Sequence, residues 1–323
     1  MKNRIIILGA VVLLVIGGAS AAWYYAAGLV REQIALLAFA DGETSPQLTC
    51  GTLDVGGYPF AFNVECKDAV VVSGDAMITV PDIRASALVY DLSHYLAGAT
   101  GPAEISDAFT GQRTALSWSG LEASLRLTEG RIARLSIIGD DFSWNDLLLG
   151  DTLLAKAPHA ELHLIDMEEK HDPDTGTSAL ALYLKADALD LPALTLTGTA
   201  LEVEAELTGI PDDYSTIGLT PILPAWQQAG GELNLVALRM NDAAADLTAS
   251  GKVALDPQGL LNGAITIDSK GVAERIGPMI EEPFRTLVLG VPQENGRHTN
   301  QLNFRAGTLS SGLVPITTLP ALF

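Results

Sequence analysis

Between Leu201 and Leu207 the chain alternates strictly: Leu201, Val203, Ala205 and Leu207 are separated by Glu202, Glu204 and Glu206. A helix would spread the glutamates around its circumference. An extended strand puts all three on one face and the apolar side chains on the other. Leu125 and Leu127, Leu135 and Ile137, Leu162 and Leu164, Leu180 to Leu184, Val253 and Leu255, Ile265 and Ile267, and Leu302 and Phe304 repeat the pattern. Turn signals lie between them: Thr128-Glu129-Gly130, Asp172-Pro173-Asp174-Thr175-Gly176 and Asp256-Pro257-Gln258-Gly259. Strands at this spacing predict a mainly β protein, a large antiparallel curved sheet or a sandwich, rather than alternating strands and helices.

Three stretches depart from the pattern. Asp91–Ala97 is expected as a short helix and 211–229 as a helix–loop excursion. Val272, Ile276, Met279, Ile280, Phe284 and Leu287 form a helical stripe that Pro278 and Pro283 must kink or divide, and that reads as cover for the sheet.

The N-terminus obeys different rules. Ile5 to Ala27 carries no charge, with Lys2 and Arg4 before it and Arg31 and Glu32 after it. At about 1.5 Å per residue this run reaches roughly 35 Å, enough for a bilayer core of about 30 Å. Residues 1–4 then form a cytoplasmic N-terminus, 5–27 a transmembrane anchor, 28–47 a helical connector and 48–323 one β-rich domain on the far side of the membrane, with two subdomains meeting near 190–230 as the alternative division. Trp23, Tyr24 and Tyr25 stand where an interfacial aromatic belt belongs. The segment also fits a secretory signal cleaved after Ala19-Ser20-Ala21. The uncharged run continues nine residues past Ala21, which favours the anchor, and both readings export the body.

Charge and cysteine usage agree with export. Residues 31–323 hold 39 acids against 17 bases, a net of −22. Such a surface is soluble and repels nucleic acid and anionic headgroups. The two cysteines, Cys50 and Cys66, are expected to bond, closing a 17-residue span worth about 3 kcal/mol on the chain-entropy model. Gly56-Gly57-Tyr58-Pro59 marks a turn between them, so they face each other across a hairpin. Leu53 and Val55 are odd-numbered while Phe60, Phe62 and Val64 are even, from which a bulge is expected, with Gly51 the candidate.

The linear signatures of catalysis are absent: no G-x-S-x-G, H-E-x-x-H, Walker loop or G-x-G-x-x-G occurs. Gly251-Lys252 reads as part of a strand. His159 and His163, four apart on a strand, stand roughly 13 Å from each other, too far to share one ion. Asp172–Gly176 lacks the glutamate a calcium loop needs and reads as a polar turn. The expectation is a non-enzyme without cofactor, metal or catalytic set.

Gly57-Tyr58-Pro59-Phe60-Ala61-Phe62, followed by Cys66, resembles the G-[YF]-P-[FN]-R-F signature of the family called domain of unknown function 2125. Position 61 is Ala where that family commonly has Arg. Gly231–Gly263 resembles the family's strand–turn–strand block, shared loosely with AsmA-like envelope proteins. Gly312-Leu313-Val314-Pro315 with Leu319-Pro320 resembles its proline-bearing C-terminus. The resemblance implies a bacterial inner-membrane protein, N-terminus cytoplasmic and body periplasmic, with no established catalytic residues. AsmA-like proteins handle phospholipid through a long curved sheet with an apolar inner face. The implied partners are therefore the membrane itself, a lipid or acyl ligand in an apolar groove, and envelope proteins. A scaffolding module docking through the tail Leu313–Phe323 is the alternative, and a hydrolase using His94 or His298 a distant third.

Overall fold

The computed structural model describes residues 2–323 except 44, 149, 212–221, 282 and 283. The chain divides into two compact units, Met1–Ala115 and Leu116–Phe323.

The first unit begins with α1 (Lys2–Leu36), which ends in a single 3-10 turn at Leu37–Phe39. Residues Asn3–Phe39 are long and apolar enough to cross a membrane. Then come β1 (Gln47–Thr49), β2 (Thr52–Gly56), β3 (Ala61–Ser73), β4 (Ala76–Leu88), β5 (Asp91–Thr100) and β6 (Ala103–Asp107), and β7 (Arg113–Ser117) carries the chain onward. β1 and β2 both pair with β3, β3 with β4, and β4 with β5 and β6, all antiparallel.

One expectation is corrected in this unit and another is refined. Asp91–Ala97 is strand, not helix. Leu92, Tyr95 and Leu96 have helical spacing, but Ala85 to Ala87 of β4 pair with Tyr95 to Ala97, and these ladder bonds outweigh a weak local preference. The hairpin itself needs no bulge, and the irregularity between the cysteines sits at Gly51, between β1 and β2, where one amide donates to both the Lys67 and Asp68 carbonyls. Leu53 faces Cys66 and Val55 faces Val64, and Thr49 faces Val70 in the same register. The residue numbers of each pair sum to an odd value, so odd positions on β2 meet even ones on β3 without interruption.

The second unit is a meander: β8 (Gly120–Thr128), β9 (Arg131–Asp146), β10 (Thr152–Asp166), β11 (Thr177–Leu191) and β12 (Leu196–Pro211). After α2 (Ile222–Gln228) follow β13 (Glu232–Asn241), β14 (Asp246–Leu255) and β15 (Leu261–Lys270). Then come α3 (Val272–Ile276), α4 (Phe284–Leu289), β16 (Val291–Pro292), β17 (Arg297–Arg305), β18 (Thr308–Ser311) and β19 (Val314–Thr318). Each strand from β8 to β15 pairs antiparallel with the next, β15 continues to β17, and β17 leads through β18 to β19. This is one ladder, and among the described residues of the unit no second sheet faces it.

The expected helical stripe appears as α3, a 3-10 turn at Gly277–Met279, and α4; Pro278 sits in that turn and Pro283 outside the described residues. Of the excursion expected over 211–229, α2 is described and 212–221 is not. Asp172–Gly176 is a polar turn in which the Asp172 carboxylate accepts the Asp174 amide at 2.9 Å. Gly251 and Lys252 lie inside β14.

Packing is thin. Among the described residues the largest side chains under 2% exposed are Thr199 and Ser178. A sandwich buries large aliphatic side chains between two sheets, so the second unit is a sheet with one apolar face only partly covered.

Candidate functional site

The registers of the second unit assemble single-strand alternation into a surface. One row runs Ala123, Ile137, Leu162, Leu184, Val203, Leu238, Ala249, Ile267, Asn300, each paired with the next across nine strands. The parallel row is Leu125, Leu135, Leu164, Leu182, Ala205, Leu235, Gly251, Ile265, Leu302. Seventeen of these eighteen positions are apolar or glycine. The row on the opposite face reads Glu122, Ile138, Glu161, Lys185, Glu202, Arg239, Thr248, Asp268, Thr299. Its charges pair: Arg239 with Glu204 at 2.7 Å, Lys185 with Asp187 at 3.1 Å, and Arg297 with Asp246 at 2.6 Å and with Asp268. The Glu204 contact accordingly raises the Arg239 pKa above its ordinary value.

Helices cover the far part of the apolar face. Asn300, the polar exception in its row, donates through Nδ2 to the carbonyls of Leu287 at 2.7 Å and Val288 at 3.0 Å. It thereby satisfies the end of α4, whose last carbonyls have no intrahelical partner, and seats that helix on β17. Beside it, α3 closes a cavity of about 220 Å³ over Met240 and Leu247. The ion pair that fixes α3 is buried: Arg275 grips Asp242 with two bonds of 2.6 and 3.1 Å. Asp242 also accepts from Thr199 Oγ1 and from the Ala244 and Ala245 amides. The Arg275 bonds, ahead of the others, hold its carboxyl far below the usual carboxylate range.

Over β9, β10 and β11 the face stays open. A depression of about 330 Å³ is lined by Ile137, Phe142, Trp144, Ala157, Ala160, Leu162, Leu184 and Leu189, with Lys156, Glu161 and Lys185 also contributing. Its shape depends on Pro158. Proline has no N–H for the ladder, and the residues opposite it on each side, Asp141 and Ala188, adopt φ of 54° and 45°. Strand parity flips there: Ala160 and Leu162 face the depression above Pro158, and Ala155 and Ala157 face it below. The apolar surface therefore continues past the proline. Gly139 makes room for the ring of Phe142, which would lie 2.3 Å from any Cβ at that position. In the first unit Pro81 stands opposite Asp68, whose φ is 49°, and the buried side of β3 passes likewise from Cys66 to Ala69.

The predicted site residues gather in the first unit. Cys50 and Cys66 are bonded, with Cα atoms 5.3 Å apart. Gly57 has φ 97°, and a Cβ there would meet the Ala61 carbonyl oxygen at 2.7 Å. Its own carbonyl accepts from the Phe60 and Ala61 amides, closing the turn. Tyr24 and Tyr25 are exposed, as an interfacial belt requires, but Trp23 is not: it is 6% exposed and packs with Ala27 and Val55. Its ring stacks on Phe62 at 5.7 Å, meets Tyr58 edge-on at 5.5 Å, and donates Nε1–H to the Ala61 carbonyl at 3.0 Å. Tyr58 Oη and Ser20 Oγ are 2.6 Å apart. The hairpin motif thus grips the apolar N-terminal helix. No local signal in the sequence links Trp23 to the motif, because 38 residues separate the indole from the carbonyl it serves.

The remaining candidates are dispersed. His159 and His163 lie on β10 with separate partners, Asp140 at 2.7 Å and Ser136 at 2.9 Å. His94 is on β5 and His298 on β17. The tail forms β19, and the Leu319 and Leu322 amides bond to the carbonyls of Gly307 and Gly259. It packs as the last strand and its extension.

The apolar N-terminal helix fits a single-pass membrane anchor, and the disulfide fits a body outside the cytoplasm. No curated protein matches this chain. Residues 23–320, nearly its whole length, match the family described as "Uncharacterized protein conserved in bacteria (DUF2125)", and the chain belongs to that family.

Proposed function

We propose that this is a bacterial inner-membrane protein, N-terminus cytoplasmic and body periplasmic, that binds the acyl chains of a lipid-like envelope component and assists its transport. The second unit acts as a non-catalytic trough in this reading. The observation that carries it is the pair of apolar rows crossing nine strands and left open over β9–β11 among the described residues. An acyl chain asks for a contiguous, largely apolar surface of this kind. Each methylene removed from water contributes about 0.8 kcal/mol. A chain burying about ten of them gains about 8 kcal/mol before the costs of association, enough for reversible holding. The acidic exterior disfavours anionic headgroups and keeps the body soluble.

A photoreactive benzophenone side chain at Leu162, and separately at Leu184, in the full-length protein in cells tests this. Mass spectrometry should find lipid adducts at both positions and none with the same group at Glu204 on the opposite face. Adducts to proteins alone would support the scaffolding alternative and overturn the lipid reading, as would adducts to nothing.

A further inference from the structure

We infer that the tip of the β2–β3 hairpin, together with the neighbouring β4–β5 turn, is a second membrane element that dips into the outer boundary of the bilayer crossed by α1. The inference rests on α1 spanning the membrane, and not on what the second unit binds.

The depth follows from the contacts. Measured from Ile5, where the uncharged run begins, Ser20 lies about 22 Å and Trp23 about 27 Å along a helix rising 1.5 Å per residue. A hydrocarbon core is about 30 Å thick. Those two residues hold the hairpin, Ser20 through Tyr58 Oη at 2.6 Å and Trp23 through the Ala61 carbonyl at 3.0 Å. Tyr24 also stacks on Tyr58, with ring centroids 5.6 Å apart. A tip fixed at that height cannot stand clear of the lipid.

Its composition suits that position. Phe60, at the tip, is 70% exposed, and Tyr58 is exposed beside it. The Val89 amide donates to the Phe60 carbonyl at 3.0 Å and so brings the β4–β5 turn alongside. That turn adds Val89 and Tyr90, the latter 75% exposed, with Leu88 and Leu92 also exposed. Asp91, next to this turn, accepts from the Ser93 amide and hydroxyl, an arrangement compatible with headgroup level. Large exposed aromatic and aliphatic side chains at two adjacent turn tips are costly in water and favourable at a bilayer interface, where Tyr in particular concentrates. The patch is also continuous with the lipid-facing surface of α1, which identifies its occupant as the same bilayer. Phe60 of the family motif thereby gains a role: Gly57 shapes the turn, Tyr58 and Phe62 grip the helix, and Phe60 enters the lipid.

The test uses the full chain in zwitterionic phosphatidylcholine vesicles, with Cys50–Cys66 left oxidised. A nitrobenzoxadiazole fluorophore is placed through Phe60→Cys, Tyr90→Cys, Val12→Cys within α1, or Asp75→Cys at the opposite end of the β3–β4 hairpin. Labels at 60 and 90 should show blue-shifted emission and lose fluorescence to lipids carrying acyl-chain quenchers, as the label at 12 does, while the label at 75 stays aqueous. Quenching at 12 with aqueous behaviour at both 60 and 90 overturns the inference and leaves the anchor intact. Aqueous behaviour at 12 as well overturns the anchor and the inference together.

Discussion

Truncating Trp23 to alanine should loosen the β2–β3 hairpin although Trp23 belongs to the long apolar N-terminal helix. Trp23 is 6% exposed and packs on Val55, Ala27 and Phe62. Removing a buried tryptophan side chain typically costs about 3–5 kcal/mol. The lost indole N–H to Ala61 bond accounts for about 1 kcal/mol of that, since the carbonyl, at the first residue of β3, loses its donor. At about 1.4 kcal/mol per tenfold, amide exchange in β2 and β3 should accelerate by roughly two to three and a half orders of magnitude. Trp23→Phe keeps a ring to stack on Phe62 and loses the donor, worth about 1 kcal/mol, so an acceleration of at least roughly fivefold is expected, well short of the alanine variant. Tyr25→Ala is the control: its ring is 72% exposed, and surface substitutions fall within about 0.5 kcal/mol. Hydrogen exchange of the full chain in detergent micelles, read by mass spectrometry on peptides covering 52–73, resolves these differences. Equal, unaltered exchange in Trp23→Ala and Tyr25→Ala would refute the argument, because the helix would then be tethered to the body and not packed into it.

Two further outcomes follow from chemistry already described. Replacing Cys50 and Cys66 together by serine should lower the stability of the first unit by about 3 kcal/mol, measured by denaturant unfolding. A thiol-reactive polymer should add to protein taken from cells only after reduction, and addition without reduction would place the body in a reducing compartment. In the second unit, Asp242 has a folded pKa below its unfolded one, so its contribution is full above about pH 4 and is lost as pH falls through the folded value. Arg275→Met should cost about 2–3 kcal/mol at neutral pH, softened by the three bonds Asp242 keeps. It should also move the onset of acid unfolding to higher pH, and a pH profile parallel to wild type would exclude Arg275 as the cause of the shift.

The long apolar helix, the strand-built body, the disulfide and the turns were legible in the amino-acid sequence because each rests on a local rule: span length, period-two alternation, cysteine count, and Gly, Pro and Asp at turns. Asp91–Ala97 escaped those rules because a strand edge on β4 supplied hydrogen bonds that no local pattern announces. Whether the apolar side chains closed on each other or lined an open face was not local either. Alternation along one strand is the same in a sandwich and in a trough; only the register across nine strands, and the placing of α3 and α4 over one part of the face, separates them. The flips at Pro81 and Pro158 had a visible signal, a proline inside an alternating run, but their consequence depends on what Asp68, Asp141 and Ala188 do opposite them. The grip of Gly57–Phe62 on Trp23 is likewise tertiary, since 38 residues of chain separate the indole from the carbonyl it serves. Sequence alone thus determined that an acidic, disulfide-bonded β body hangs from an apolar helix, because hydrophobic patterning and charge act residue by residue. Tertiary structure decided where that body leaves oil exposed, because exposure is a property of what packs on a surface and not of the strand that bears it.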